Sequence, residues 1–204
     1  MGYDAGRTHQ AVLDYAKQEF MEHGYQKANM RNIAKKANVT TGAMYNHFAN
    51  KAVLFDALVQ APAEEMLTQF QEIHNRAKEY VVLHAAQDLR EIAQNGTDWM
   101  LDFIFEHKDA FRLIFCRSEG TRWVSYLEGL IEIEEQSQRF YYDKLCANGE
   151  PVDDFFLHVS AAAGFQYLVE IVSHNLSYER AVAIMNTVKR CSAAGWNELL
   201  GLQL

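Results

Sequence analysis

Residues 29–54 read Asn-Met-Arg-Asn-Ile-Ala-Lys-Lys-Ala-Asn-Val-Thr-Thr-Gly-Ala-Met-Tyr-Asn-His-Phe-Ala-Asn-Lys-Ala-Val-Leu. The pattern is two short helices joined by a tight turn. Asn29 is a good helix cap, and Ile33, Ala34 and Ala37 form an apolar stripe at helical spacing. Asn38-Val39-Thr40 breaks that stripe: Asn38 tolerates a left-handed backbone, and Thr40 or Thr41 can cap a second helix. That helix carries Met44 and Phe48 inward, with Val39 packing from the turn, and leaves Thr41, Gly42, Tyr45, Asn46 and His47 on its other side. A short amphipathic helix with hydroxyl, amide, imidazole and phenol on its exposed face suits the major groove of DNA. Lys51 opens the next helix, where it can meet a phosphate.

The segment resembles the DNA-binding helix-turn-helix of tetracycline-repressor (TetR) type regulators. The resemblance covers about residues 8–58. It runs from an apolar first helix ending Glu22-His23-Gly24-Tyr25, through Ile33-Ala34 and Val39 to Phe48, to Asn50-Lys51-Ala52-Val53-Leu54. Two positions depart from the family pattern: Ala28-Asn29 replaces the usual hydroxyl pair, and Asn32 replaces the acidic residue common before Ile-Ala. In similar proteins an arginine early in the second helix also touches DNA, and Arg31 occupies that place. Thr40, Thr41, Gly42 and Asn46 are the candidate base readers, with Tyr45, His47 and Lys51 on phosphates.

A chain of 204 residues and 23.4 kDa can bury a real core. It has only two prolines and no sustained strand-type alternation, which favours an all-α protein. Residues 1–51 hold seven Lys/Arg and four Asp/Glu, a net +3, while the remainder holds twelve and twenty-three, a net −11. A mildly basic head on an acidic body fits a DNA reader joined to a domain that stays off DNA, although a solvated acidic surface needs no functional use. The three cysteines lie far apart without a Cys-x-x-Cys pattern, and the N-terminus lacks an apolar signal region, so a cytoplasmic protein is expected. The longest apolar stretch, residues 155–172, is interrupted by His158, Ser160, Gln166 and Glu170. It reads as a poor membrane span and a good buried or interface helix.

The expected architecture is an N-terminal three-helix DNA-binding domain over 1–50 and a helical ligand-binding and dimerisation domain over 51–204. The first helix runs from about Thr8 to His23, closed by Gly24. Pro62 should kink or interrupt the fourth helix. Leu89, Ile92, Gly96, Trp99 and Phe103 mark a helix to about His107, followed by a short one over 109–116. Further helices are read from Thr121 to about Leu145, Asp153 to His174 and Ser177 to Leu200.

Aromatic residues crowd the middle of the body, and such a stripe more often fills a core than lines a pocket. Gly96 beside Trp99 and Phe103, Tyr126, and Ser137 one turn before Phe140 nevertheless leave space and a polar handle. The family resemblance implies a small-molecule cavity there, and an uncharged or weakly cationic, aromatic-sized ligand fits these residues. Ser160, Ala162 and Ala163 lie in a run of small residues on one late helix, and Met185, Val188 and Ser192 lie on the last. Two such helices from each of two copies make the four-helix homodimer interface that the resemblance implies. His74, His84, His107, His158 and His174 form no metal-ligand pairs, and neither a phosphate loop nor a nucleophile elbow occurs, so no metal, cofactor or enzymatic activity is expected.

The reading is a homodimeric DNA-binding transcriptional regulator, a repressor released from a palindromic operator by a small molecule. The alternative is an effector-free DNA binder acting as a structural or partner-recruiting protein.

Overall fold

The computed structural model describes residues 2–84, 89–146 and 151–201, with side chains described over 6–83, 98–146 and 151–201. These residues form helices α1 (Gly2–Lys27), α2 (Met30–Lys36), α3 (Thr41–His47), α4 (Lys51–His84), α5 (Leu89–Glu106), α6 (Lys108–Arg117), α7 (Tyr126–Leu145), α8 (Asp154–Ser173) and α9 (Tyr178–Leu200). A 3-10 turn over Arg122–Ser125 precedes α7, and no strand occurs among the described residues.

The helix boundaries follow local chemistry. Asn29 accepts from the Arg31 N–H, Thr40 from the Ala43 N–H, Asp153 from the Phe155 N–H and Ser177 from the Arg180 N–H, each satisfying a first-turn donor with no partner inside the helix. Asn38 turns the chain at φ 56°, and Gly201 ends α9 in the left-handed conformation. Two expectations need correction. Pro62 does not interrupt α4, which runs unbroken from Lys51 to His84. Its ring removes one N–H from the ladder, and buried Val59, Ala63 and Met66 hold the turns on either side. The helix expected from Thr121 begins instead as the 3-10 turn, because the Thr121 hydroxyl oxygen accepts from the Trp123 N–H and closes a tight first turn.

The chain divides into two compact units, one of Met1–Glu65 and His107–Tyr126, the other of Met66–Glu106 and Leu127–Leu204. The first is larger than the expected 1–50 head because α6 packs on α1. Lys17 meets Asp109 at 2.7 Å, and the Arg117 Nε donates to the Met21 carbonyl at 2.8 Å. Val12, Ala16 and Phe20 of α1 share its core with Ile33, Met44, Phe48, Leu54 and Phe55, and the rings of Phe20, Tyr25 and Phe55 pack at 5.1 to 6.0 Å. In the second unit α5 packs on α9. Lys189 reaches Asp98 at 2.6 Å and the Tyr178 hydroxyl donates to Asp102 at 2.5 Å. α8 contributes Leu157, Ala161, Phe165, Leu168 and Ile171 to that core.

The joint between α1 and α2 rests on Glu19, a buried carboxylate in the α1 stripe. It accepts from the Asn29 backbone N–H at 3.1 Å, and Lys36 lies 3.5 Å away. Burial alone would raise its pKa, but the Asn29 N–H, the Asn32 side chain and the charges of His23 and Lys36 outweigh that and hold it below the ordinary glutamate range. Just beyond, Gly24 adopts φ 72° and ψ 166°, a region open essentially to glycine alone.

Replacing Gly24 with Ala is expected to cost about 1–3 kcal/mol of stability, read as a lower urea midpoint. A Cβ there meets nothing nearer than 4.0 Å, so an unchanged midpoint would mean that the strain argument is wrong. The depressed Glu19 carboxyl gives a second expectation. Its stabilising contribution is complete above the ordinary glutamate range and is lost as pH falls through the lowered folded value. Glu19→Gln should therefore destabilise the protein at about pH 7 and narrow its margin below wild type by about pH 3. A constant difference across the acid limb in urea titrations would show that the charge plays no part.

Candidate nucleic-acid interface and the helical body

α3 has seven residues, too few to persist alone, so its orientation is set by what it packs against. Met44 and Phe48 are buried beneath it, and the His9 ring of α1 stacks on Phe48 at 4.7 Å. On its opposite side Gly42, Tyr45 and Asn46 are exposed, Tyr45 to 44%, while Thr41 and His47 are half-buried. The structure therefore gathers most of the expected DNA-facing set on one surface, with Arg31 exposed at the start of α2.

Three of these side chains also have work inside the fold. The Thr40 hydroxyl oxygen is the α3 cap, leaving its O–H to donate outward. His47 lies edge-on to His9 at 5.8 Å. Lys51 donates to the Gln26 and Ala28 carbonyls at 3.0 and 3.3 Å, with its ammonium 4.7 Å from the Tyr25 ring centroid. It thus neutralises carbonyls at the C-terminal end of α1 and retains one further N–H. Asn50 caps α4 through the Val53 N–H, which fixes the helix start that places Lys51 there.

In the body the expected ligand residues separate. Gly96 lies outside the residues whose side chains are described. Trp99 is half-buried with its ring 5.4 Å from that of buried Phe103, and Phe140 lies 5.7 Å from Tyr141. Ser137 is buried and donates to the Ile133 carbonyl at 2.8 Å, so the polar handle expected there is committed to its own helix. Tyr126 belongs to the first unit, where its hydroxyl donates to the Ala63 carbonyl at 2.9 Å and burial pushes its pKa up.

Sequence reasoning missed a polar group on α4 and α7. The Glu134 carboxylate has His74 Nε2 at 3.2 Å on one oxygen and accepts from Gln138 Nε2 at 3.0 Å on the other. Burial raises the Glu134 pKa, but His74, Gln138 and the charge of Lys78 together bring it below the ordinary value. Burial lowers Lys78, and it pushes Tyr141 up to about 12 with help from Glu134. Sixty residues separate His74 from Glu134, so no local spacing announces the pair. Glu19 did leave a signal, a charged residue on the stripe of Val12, Ala16 and Phe20.

Of the expected dimer residues, Met185 is only 4% exposed and belongs to the core of the single chain, which corrects its placement on an outward seam. Ser160, Ala162 and Val188 are half-buried, and Ala163 and Ser192 are exposed. α8 is long and apolar enough to cross a membrane by length and composition alone. Its inner side packs in the core, and Phe155, 72% exposed, with Phe156, Val159 and Tyr167 leaves apolar surface open. Among the described residues no cluster of three or more His, Cys, Asp or Glu could hold a metal ion.

Residues 12–58 match the family described as bacterial regulatory proteins, tetR family. An HTH-type transcriptional regulator of Staphylococcus aureus is 27% identical over 143 residues, covering 70% of each chain. An Escherichia coli protein named for repression of the acrEF/envCD operon is 40% identical over 67 residues, 32% of this chain and 30% of that protein. The matched segment thus spans less than a third of that relative's length. The crystal structure of the TetR family transcriptional regulator PfmR from Thermus thermophilus shares the fold, with a TM-score of 0.59 at 15% identity, covering 88% of this chain and 97% of that one. With the helix-turn-helix geometry, these likenesses lead to one conclusion: residues 12–58 form a helix-turn-helix domain of the tetR family of bacterial regulatory proteins, which supports a DNA-binding transcriptional regulator rather than an enzyme.

Proposed function

We propose that the chain is a cytoplasmic, homodimeric repressor whose operator affinity falls when a small molecule binds the helical body. One observation carries this reading, the outward face of α3, where Thr41, Gly42, Tyr45 and Asn46 stand above buried Met44 and Phe48. A helix of seven residues is about 10 Å long and fits a major groove about 12 Å wide. Thr40, Thr41, Gly42 and Asn46 read bases, while Arg31, Tyr45, His47 and the remaining N–H of Lys51 hold phosphates. The name of the Escherichia coli relative supports repression as the output.

Two α3 helices must enter successive major grooves about 34–36 Å apart, which requires a dimer and a palindromic operator. The apolar surface of α8 supports this. Phe156, Val159, Ala163 and Tyr167 recur at intervals of three and four residues and are exposed in the single chain. Nothing lies within 4 Å of a Cβ built on Gly164 or Gly195, so a second copy can approach closely along α8 and α9. Ligand in the body then favours a state in which the two recognition helices are wrongly spaced, a coupling typically worth about 1–3 kcal/mol.

Fluorescence anisotropy with operator and random duplexes tests the DNA face. Lys51→Ala should weaken binding to both and lower the salt slope by about one, whereas Asn46→Ala should change the preferred base. A Lys51→Ala protein with unchanged affinity and slope would remove the phosphate role. For the dimer, Ala163→Arg should give monomers that keep their helical content yet lose operator affinity. A variant that still sediments as a dimer at low micromolar concentration would move the interface elsewhere.

A further inference from the structure

We propose that His74 and Gln138, held on either side of Glu134, form the polar end of the effector site and take a small aromatic molecule bearing an N–H or O–H donor. The inference rests on reading the body as an effector domain and adds the chemical class of the ligand.

The argument begins with two buried atoms that have no hydrogen-bond partner, His74 Nδ1 and Gln138 Oε1. Gln138 is 9% exposed and the His74 side chain 13%, so neither atom is solvated by the surface. Unpaired buried polar atoms are costly and rare. Their character follows from the neighbours. The Gln138 amide must turn its NH2 to the Glu134 carboxylate, since the flipped amide would set oxygen against oxygen, and this leaves Oε1 as an acceptor. The His74 ring meets the same carboxylate through Nε2, which leaves its Nδ1 buried and unpaired. Gln138 Oε1 is thus an unfilled acceptor beside an anion, and the group it lacks is a donor.

The surroundings are aromatic. Phe70, one turn before His74 on α4, lies edge-on to it at 4.3 Å, and Phe165 of α8 lies 5.7 Å from Phe70. Lys78, one turn after His74, offsets the Glu134 charge, so the group does not demand a cation. A flat ring with a donor at its edge matches both parts: the ring against Phe70, Phe165 and His74, the donor on Gln138 Oε1.

Indole and 1-methylindole provide a matched pair, because methylation removes the only donor and leaves the ring. Calorimetric titration of the full-length protein should show indole bound about tenfold or more tightly, since the methylated ring buries an acceptor without a partner. In Gln138→Met, which keeps the side-chain length, that preference should shrink to about twofold or less, with a thermal melt confirming that the variant is folded. Equal affinity of wild type for the two probes, binding of neither, or an undiminished preference in Gln138→Met would overturn the proposal. Operator binding followed in the same titrations separates it from the release mechanism. Donor-selective binding with operator affinity unchanged keeps the site and removes the mechanism. Release by a compound indifferent to Gln138→Met keeps the mechanism and removes the site.

Discussion

The DNA-binding unit depends on a carboxylate taken out of water. Glu19 is buried, and a charge in that position is tolerated only if its oxygens are filled. The Asn29 N–H fills one, and Lys36 approaches the other. Asn29 therefore acts twice, offering its backbone donor to α1 and its side-chain acceptor to the first turn of α2. The start of α2 is pinned to one point on α1, and the turn at Asn38 carries that placement on to α3. Lys51 closes the arrangement from the other end by taking up carbonyls at the end of α1. A helix of two turns cannot hold its own direction, so this frame sets where the exposed face of α3 points.

What was legible in the sequence was what local chemistry decides. Asn29, Thr40, Asp153 and Ser177 cap the helices that follow them, and Asn38 takes the left-handed backbone its side chain tolerates. Met44 and Phe48 point inward as the stripe requires. What escaped was decided by distant partners. Pro62 sits inside a continuous helix because packing on both sides outweighs one lost hydrogen bond. α6 joins the DNA-binding unit through Asp109 and Arg117, which no periodicity links to Lys17 and Met21. Among the aromatic residues, a stripe alone could not separate buried Phe103 from half-buried Trp99 and Phe140.

α8 carries more apolar surface than the core of a single chain uses. Its apolar residues are spread around the circumference, so burying Leu157, Ala161, Phe165 and Leu168 leaves Phe155, Phe156, Val159 and Tyr167 without cover. A helix buried on one side needs only one apolar face. The surplus is costly in water unless a second surface meets it, and the small side chains at Ala163 and Gly164 set how near that surface can come.

The His74, Glu134 and Gln138 group lies on two helices that each have residues in both units. α4 contributes residues 51–65 to the DNA-binding unit and residues 66–84 to the body, and α7 likewise begins with Tyr126 in the first unit and continues in the second. His74 lies on α4, and Glu134 and Gln138 lie on α7. A ligand shifts an equilibrium only by its difference in affinity for two states, so it must touch something that differs between them. In the proposed effector site, a donor on Gln138 Oε1 would sit between α4 and α7, beside the Glu134 group that joins them. Both helices continue into the unit that carries α3, and the first residue of α4 is Lys51.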